Sequence, residues 1–143
     1  MDIIIQPLHY TANILWKHLA GEYDKAKQTL QELLEIAERW GMKFHIGCAH
    51  RLLGELALET NPTQIEEPLA APHFEYSIAI LQQIKAENEL ALAYAGYGQL
   101  YQQQGNIAQA REYLTRALGI FERLGTLGEP DKVRQALTEL LRA

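Results

Sequence analysis

Apolar residues recur every three or four positions along most of this chain, the spacing that draws one stripe down a helix. The first long stripe is Tyr23, Ala26, Leu30, Leu33, Leu34, Ala37 and Trp40, and predicts a helix over about 22–40. Glu22 and Asp24 stand in its first turn, where they suit the helix dipole, and Gly41 is a stop. A shorter stripe precedes it at Ala12, Leu15, Trp16 and Leu19, with Gly21 as the turn between the two. The next stripe, Phe44, Cys48, Leu52, Leu53, Leu56 and Ala57, predicts a helix over about 43–60. Asn61-Pro62 ends it, because a residue before proline is pushed out of helical geometry. Residues 61–69 read as a polar loop with Pro62 and Pro68. The partner helix resumes near Pro72, which a first turn accepts, and runs through Phe74, Ile78, Leu81 and Ile84 to about Ala86. Further helices are predicted at about 88–104 and 107–124 around a Gly105-Asn106 turn. After Gly125, Gly128 and Pro130, a last helix over 130–142 shows Val133, Leu137, Leu140 and Leu141. It reads as a cap over the last hairpin.

These stripes repeat. Ala26, Ala70 and Ala110 lie 44 and 40 residues apart, as do Leu30, Phe74 and Leu114, and Ile36, Ile80 and Ile120. Gly54 and Gly98 are also 44 apart, each after a large residue, Leu53 or Tyr97. One helical hairpin per roughly 40 residues marks a helical repeat protein. The glycines let a neighbouring helix approach, and the large residues beside them fill the space by alternating volume.

The third hairpin carries Tyr94, Tyr97-Gly98, Tyr101, Gly105, Ala110, Leu114 and Ala117, and in this it resembles the tetratricopeptide repeat. The second matches through Leu53-Gly54, Ala57, Ala70 and Phe74, with Ser77 in place of the last Ala and a longer loop. The first matches at Gly21, Ala26 and Leu30, but Asn13-Ile14 stands where Leu-Gly is expected. The resemblance implies an all-α fold: a right-handed superhelical solenoid of three antiparallel helix pairs (about 8–41, 43–86 and 88–124) plus a capping helix at 130–142. Residues 1–7 are read as an N-terminal arm and 8–143 as one repeat domain. The long second helices, ending Ala37-Glu38-Arg39-Trp40-Gly41 and Phe121-Glu122-Arg123-Leu124-Gly125, resemble the longer repeats of large bacterial signalling proteins. This chain is expected to be a small relative or a C-terminal fragment of one.

Composition narrows the function. A chain of 143 residues with 48% apolar content can bury a proper core. Its net charge is −5, and no face gathers Lys and Arg, so a nucleic acid partner lacks electrostatic support. No apolar run approaches the roughly 18 residues of a membrane span. Met1 to Pro7 lacks the basic start and apolar core of a signal peptide. Cys48 is the one cysteine and fits a reducing compartment, so a cytoplasmic location is expected.

Candidate chemistry is sparse. His45, Cys48 and His50 lie close in sequence, but a metal site needs three or four converging ligands, and His50 is turned away from the other two. Glu55 and Glu59 share a helix face with Arg51, which reads as an ion-paired, solvated face. Tyr94, Tyr97 and Tyr101 form a stripe without interleaved cations, which reads as core packing, with hydroxyls expected to find partners. No metal, cofactor or catalytic group is expected, and the chain is read as a non-enzyme. In tetratricopeptide arrays the first helices line a concave groove. The resemblance therefore implies Cys48, Arg51, Glu55, Leu58 and Glu59 as groove residues in the second repeat. In the third it implies Leu92, Ala95, Gln99, Gln102 and Gln103. Family members that grip a carboxylate use several Lys, Arg and Asn there, and only Arg51 matches. The Gln-rich floor suits a peptide backbone or polar side chains. The expected function is a scaffold or regulatory module for another protein or peptide. A homodimer, or a small-molecule-sensing domain, is the alternative.

Overall fold

The computed structural model describes residues 23–60 and 70–142. The predicted arm, the helix expected before Gly21 and the 61–69 loop lie outside them. Among the described residues there are six helices and no strand: α1 (Tyr23–Arg39), α2 (Lys43–Thr60), α3 (Ala70–Gln83), α4 (Glu87–Gln103), α5 (Ile107–Leu124) and α6 (Glu129–Arg142). Each packs on the next in the chain, and α2 also packs on α4. The fold is an all-α stack of helical hairpins. Two complete pairs, α2–α3 and α4–α5, stand between α1 and α6.

In the second helices the repeat register holds at two of three predicted positions. Ala26, Ala70 and Ala110 are buried, as are Leu30, Phe74 and Leu114. The isoleucine series differs: Ile36 is 44% exposed, and Ile80 and Ile120 are only partly buried. The fully inward series is one residue later, at Ala37, Leu81 and Phe121. Its members differ so much in size that a search for like residues passes over them.

Four helices end the same way. At Gly41, Lys85, Gly105 and Gly125 the chain turns left-handed. In each case the amide there and the next amide donate back into the last helical turn, as in Gly125 to Glu122 and Thr126 to Phe121. This double hydrogen bond satisfies carbonyls that a helix end otherwise leaves unpaired. Three of the sites are glycine, the residue that accepts φ near +70° without steric cost. The fourth is Lys85, at φ +58°. It stops α3 at Gln83, short of the predicted Ala86. At its other end α3 begins at Ala70, two residues before Pro72, so the proline still sits in the first turn. The start of α5 is capped by Asn106, whose side chain accepts from the Gln109 amide at 3.3 Å.

Glycine also sets the helix spacing. A Cβ on Gly98 would meet the Leu114 side chain at 2.8 Å and the Ala110 carbonyl at 3.3 Å. Phe74 of α3 lies between Gly54 of α2 and Gly96 of α4, and a Cβ added at either glycine would crowd its buried ring. Ser77, in the place of a repeat alanine, is fully buried. Its hydroxyl donates to the Gly47 carbonyl of α2 at 2.7 Å, which satisfies it. The α6 helix turns Pro130, Val133 and Leu140 onto the core of the last hairpin and keeps Asp131, Lys132, Arg134 and Gln135 in water. Leu141, counted in its apolar stripe, is exposed.

Candidate functional site

The α4 helix has two distinct faces. Leu90, Ala91, Ala93, Tyr94, Gly96, Tyr97, Gly98 and Leu100 are buried. Interleaved with them, Gln99 and Gln103 are exposed, and Leu92, Ala95 and Gln102 are partly buried. All five predicted α4 residues therefore keep some contact with solvent.

The five α2 residues behave differently. Leu58 is buried in a cluster with Ala70, Phe74, Tyr97 and Leu100. Cys48 and Arg51 are also buried, Glu55 is partly so, and Glu59 is exposed. Leu52, Leu53 and Leu56 are buried as well, so α2 is enclosed on most of its circumference rather than along one stripe.

Arg51 is the polar centre of that enclosure. Its side chain is 3% exposed. One terminal nitrogen donates to Glu55 Oε1 at 2.8 Å, and the other lies 3.5 Å from Glu89 Oε2 at the start of α4. The Cys48 thiol points at the same Glu89 oxygen from 3.7 Å. Arg51 Nε and Glu55 Oε2 are buried without a hydrogen-bond partner. Burial works against the Arg51 charge, but Glu55 and Glu89 outweigh it, so the guanidinium is held charged above its ordinary range. Burial lifts the Glu55 carboxyl even with Arg51 beside it. Burial, then the Glu89 charge, pushes the Cys48 thiol far up, which leaves it protonated and unreactive. The expected solvated ion pair is thus an enclosed one joining α2 to α4. Arg51 is engaged by two carboxylates of its own chain and does not offer its charge to a third.

The tyrosine stripe packs as expected and gains a fourth member. Tyr97 contacts Tyr101 and Tyr113 with ring centres 4.8 Å apart, and Arg116 lies 5.3 Å above Tyr113. Tyr101 donates to the Tyr97 hydroxyl at 3.1 Å, and Tyr97 donates to Glu75 of α3 at 2.8 Å. Burial first, then these two hydrogen bonds, raise the Tyr97 phenol well above its usual range.

The histidines separate. His45 meets Phe44 edge-on, while His50 reaches across to His73 of α3. Among the described residues, no three His, Cys, Asp or Glu side chains converge as metal ligands. Among them too, no helix is long and apolar enough to cross a membrane. Sequence reasoning missed Glu89, Glu75 and His73 as partners. They lie 38, 22 and 23 residues from the groups they meet, at no helical spacing.

The tetratricopeptide repeat family matches the chain over residues 91–123, within the third predicted hairpin and spanning most of α4 and α5. Comparison with curated proteins and with solved structures gives no match.

Proposed function

We propose that this chain, which carries a tetratricopeptide repeat, is a protein–protein interaction module whose α4 face receives a peptide or a segment of a partner protein. Tetratricopeptide repeats generally mediate binding to other proteins. The observation that supports this placement is the division of α4. Its tyrosine and alanine face is consumed by packing, while Gln99 and Gln103 are exposed beside Leu92, Ala95 and Gln102. Glutamine offers both donors and acceptors, which suits an extended backbone. Of the five predicted α2 residues only Glu59 is exposed, and the enclosed Arg51–Glu55 pair acts as a fixed support. A scaffold reading requires no catalytic constellation.

Peptides selected by display against the full chain test the reading. They should shift the backbone amide resonances of residues 92–103. Replacing Gln99 and Gln103 together by glutamate should weaken them at least about tenfold, a loss of roughly 1.4 kcal/mol, with helicity unchanged. Shifts confined to α5 and α6, or unchanged affinity, would overturn it.

A second reading, self-association, is favoured by Trp40, which is 72% exposed at the end of α1 near the exposed Ile36. Aromatic residues are enriched at protein interfaces. Light scattering at rising concentration separates the two: a monomer at every concentration removes the second reading and leaves the first intact.

A further inference from the structure

We infer that His50 and His73 form an acid-sensitive latch between the two helices of the middle hairpin. His50 lies on α2 and His73 in the first turn of α3, and both are partly buried. Their Nδ1 atoms are 2.9 Å apart, with ring centres 5.2 Å apart. The separation of the centres is close to the nitrogen separation plus a ring radius on each side, so the nitrogens face each other head-on. That is the geometry of one proton shared between two rings. Two ligands of a metal ion would converge at an angle. Tyr76, on α3, packs its ring 4.5 Å from that of His50 and closes one side of the pair.

An N–H···N bond needs one ring with a bare acceptor nitrogen, and a doubly charged pair has none. A neutral pair keeps the bond, and so does a pair carrying one extra proton. A second extra proton sets two positively charged N–H groups against each other across the joint. Among the described residues, the charged neighbours do not relieve this. Lys27 of α1 acts on His73 with the same sign of charge. Arg51, next to His50 in sequence, is turned to Glu55 and Glu89. Glu75, two residues after His73, takes the Tyr97 hydroxyl. Burial, then the charge of His73, lowers His50 to about 4. Burial, then Lys27, lowers His73.

The sign follows from linkage. Both rings bind protons less readily in the folded chain than at their ordinary value of 6.5. The stability held in the neutral pair is therefore complete above about 6.5 and is lost as pH falls towards 4. Acid would loosen α2 against α3, and this holds whatever the chain binds.

Two measurements on the full chain test the latch. Long-range 1H–15N spectra of the imidazoles between pH 8 and 4 should show both rings titrating below 6.5. Melting temperatures of the wild type and of His50→Gln with His73→Gln should converge as pH falls from 7.5 to 5, with the wild type losing more. Titration of both rings near 6.5 would overturn the proposal, as would an equal loss in the two proteins. Should the double variant fail to fold, the wild-type titration alone decides.

Discussion

Replacing Gly96 by alanine tests the glycine clamp around Phe74. In an exposed helix this change is favourable by about 0.8–1 kcal/mol, because alanine loses less backbone entropy. At position 96 the new Cβ would lie 2.8 Å from Phe74 Cζ and 3.3 Å from Cδ1. The ring has little room to retreat, since a Cβ on Gly54, on the other helix, would meet it at 3.0 Å. Overpacking of this kind costs roughly 1–3 kcal/mol. The net expectation is a destabilisation of about 1 kcal/mol. Gly119 provides the control: it sits exposed within α5, with nothing inside 4 Å of an added Cβ. There the same substitution should stabilise by about 1 kcal/mol. Two chemically identical changes should therefore differ by about 2 kcal/mol in urea unfolding at unchanged m. In a Phe74→Leu background the penalty at 96 should largely vanish, giving a coupling of about 1 kcal/mol or more. Equal effects at 96 and 119 would refute the clamp.

Lys85→Gly should stabilise the chain. A left-handed non-glycine residue costs about 1–2 kcal/mol, and glycine gives back roughly 0.5–1 in unfolded-state entropy. A gain of about 0.5–1 kcal/mol, seen as a melting temperature a few degrees higher, follows from the difference; a lower melting temperature would contradict it. Arg51→Ala should cost about 3–5 kcal/mol by urea unfolding, because Glu55 and Glu89 would be left enclosed without their cation. A loss under 1 kcal/mol would mean that water reaches them freely.

The helices were legible because their stripes are long and most of their stops are glycines. Lys85 shows the limit: nothing in a lysine announces a left-handed turn, and only its position 44 residues after Gly41 does so in retrospect. The α4 face was legible because its glutamines interrupt a row of alanine, glycine and tyrosine. On α2 the positions taken for groove residues include three that are buried, Cys48, Arg51 and Leu58. That helix is apolar nearly all round, so periodicity cannot say which side meets water. Arg51, the residue that looked most like a ligand grip, is held by Glu55 one turn on and also by a carboxylate 38 residues away, Glu89. Such a pairing is set by how hairpins stack and leaves no local mark in the sequence.

Contacts crossing the boundary between the second and third hairpins include the Phe74 ring set against Gly96, the Arg51–Glu89 pair and the Tyr97–Glu75 hydrogen bond. A stack of repeats behaves like a one-dimensional chain of coupled units, in which a folded stretch can end only by paying for a domain wall. With an aromatic ring and a buried charge among the groups spanning this boundary, a wall there strips contacts that neither hairpin can replace alone. The two hairpins are thus one cooperative length, and opening one loosens the other.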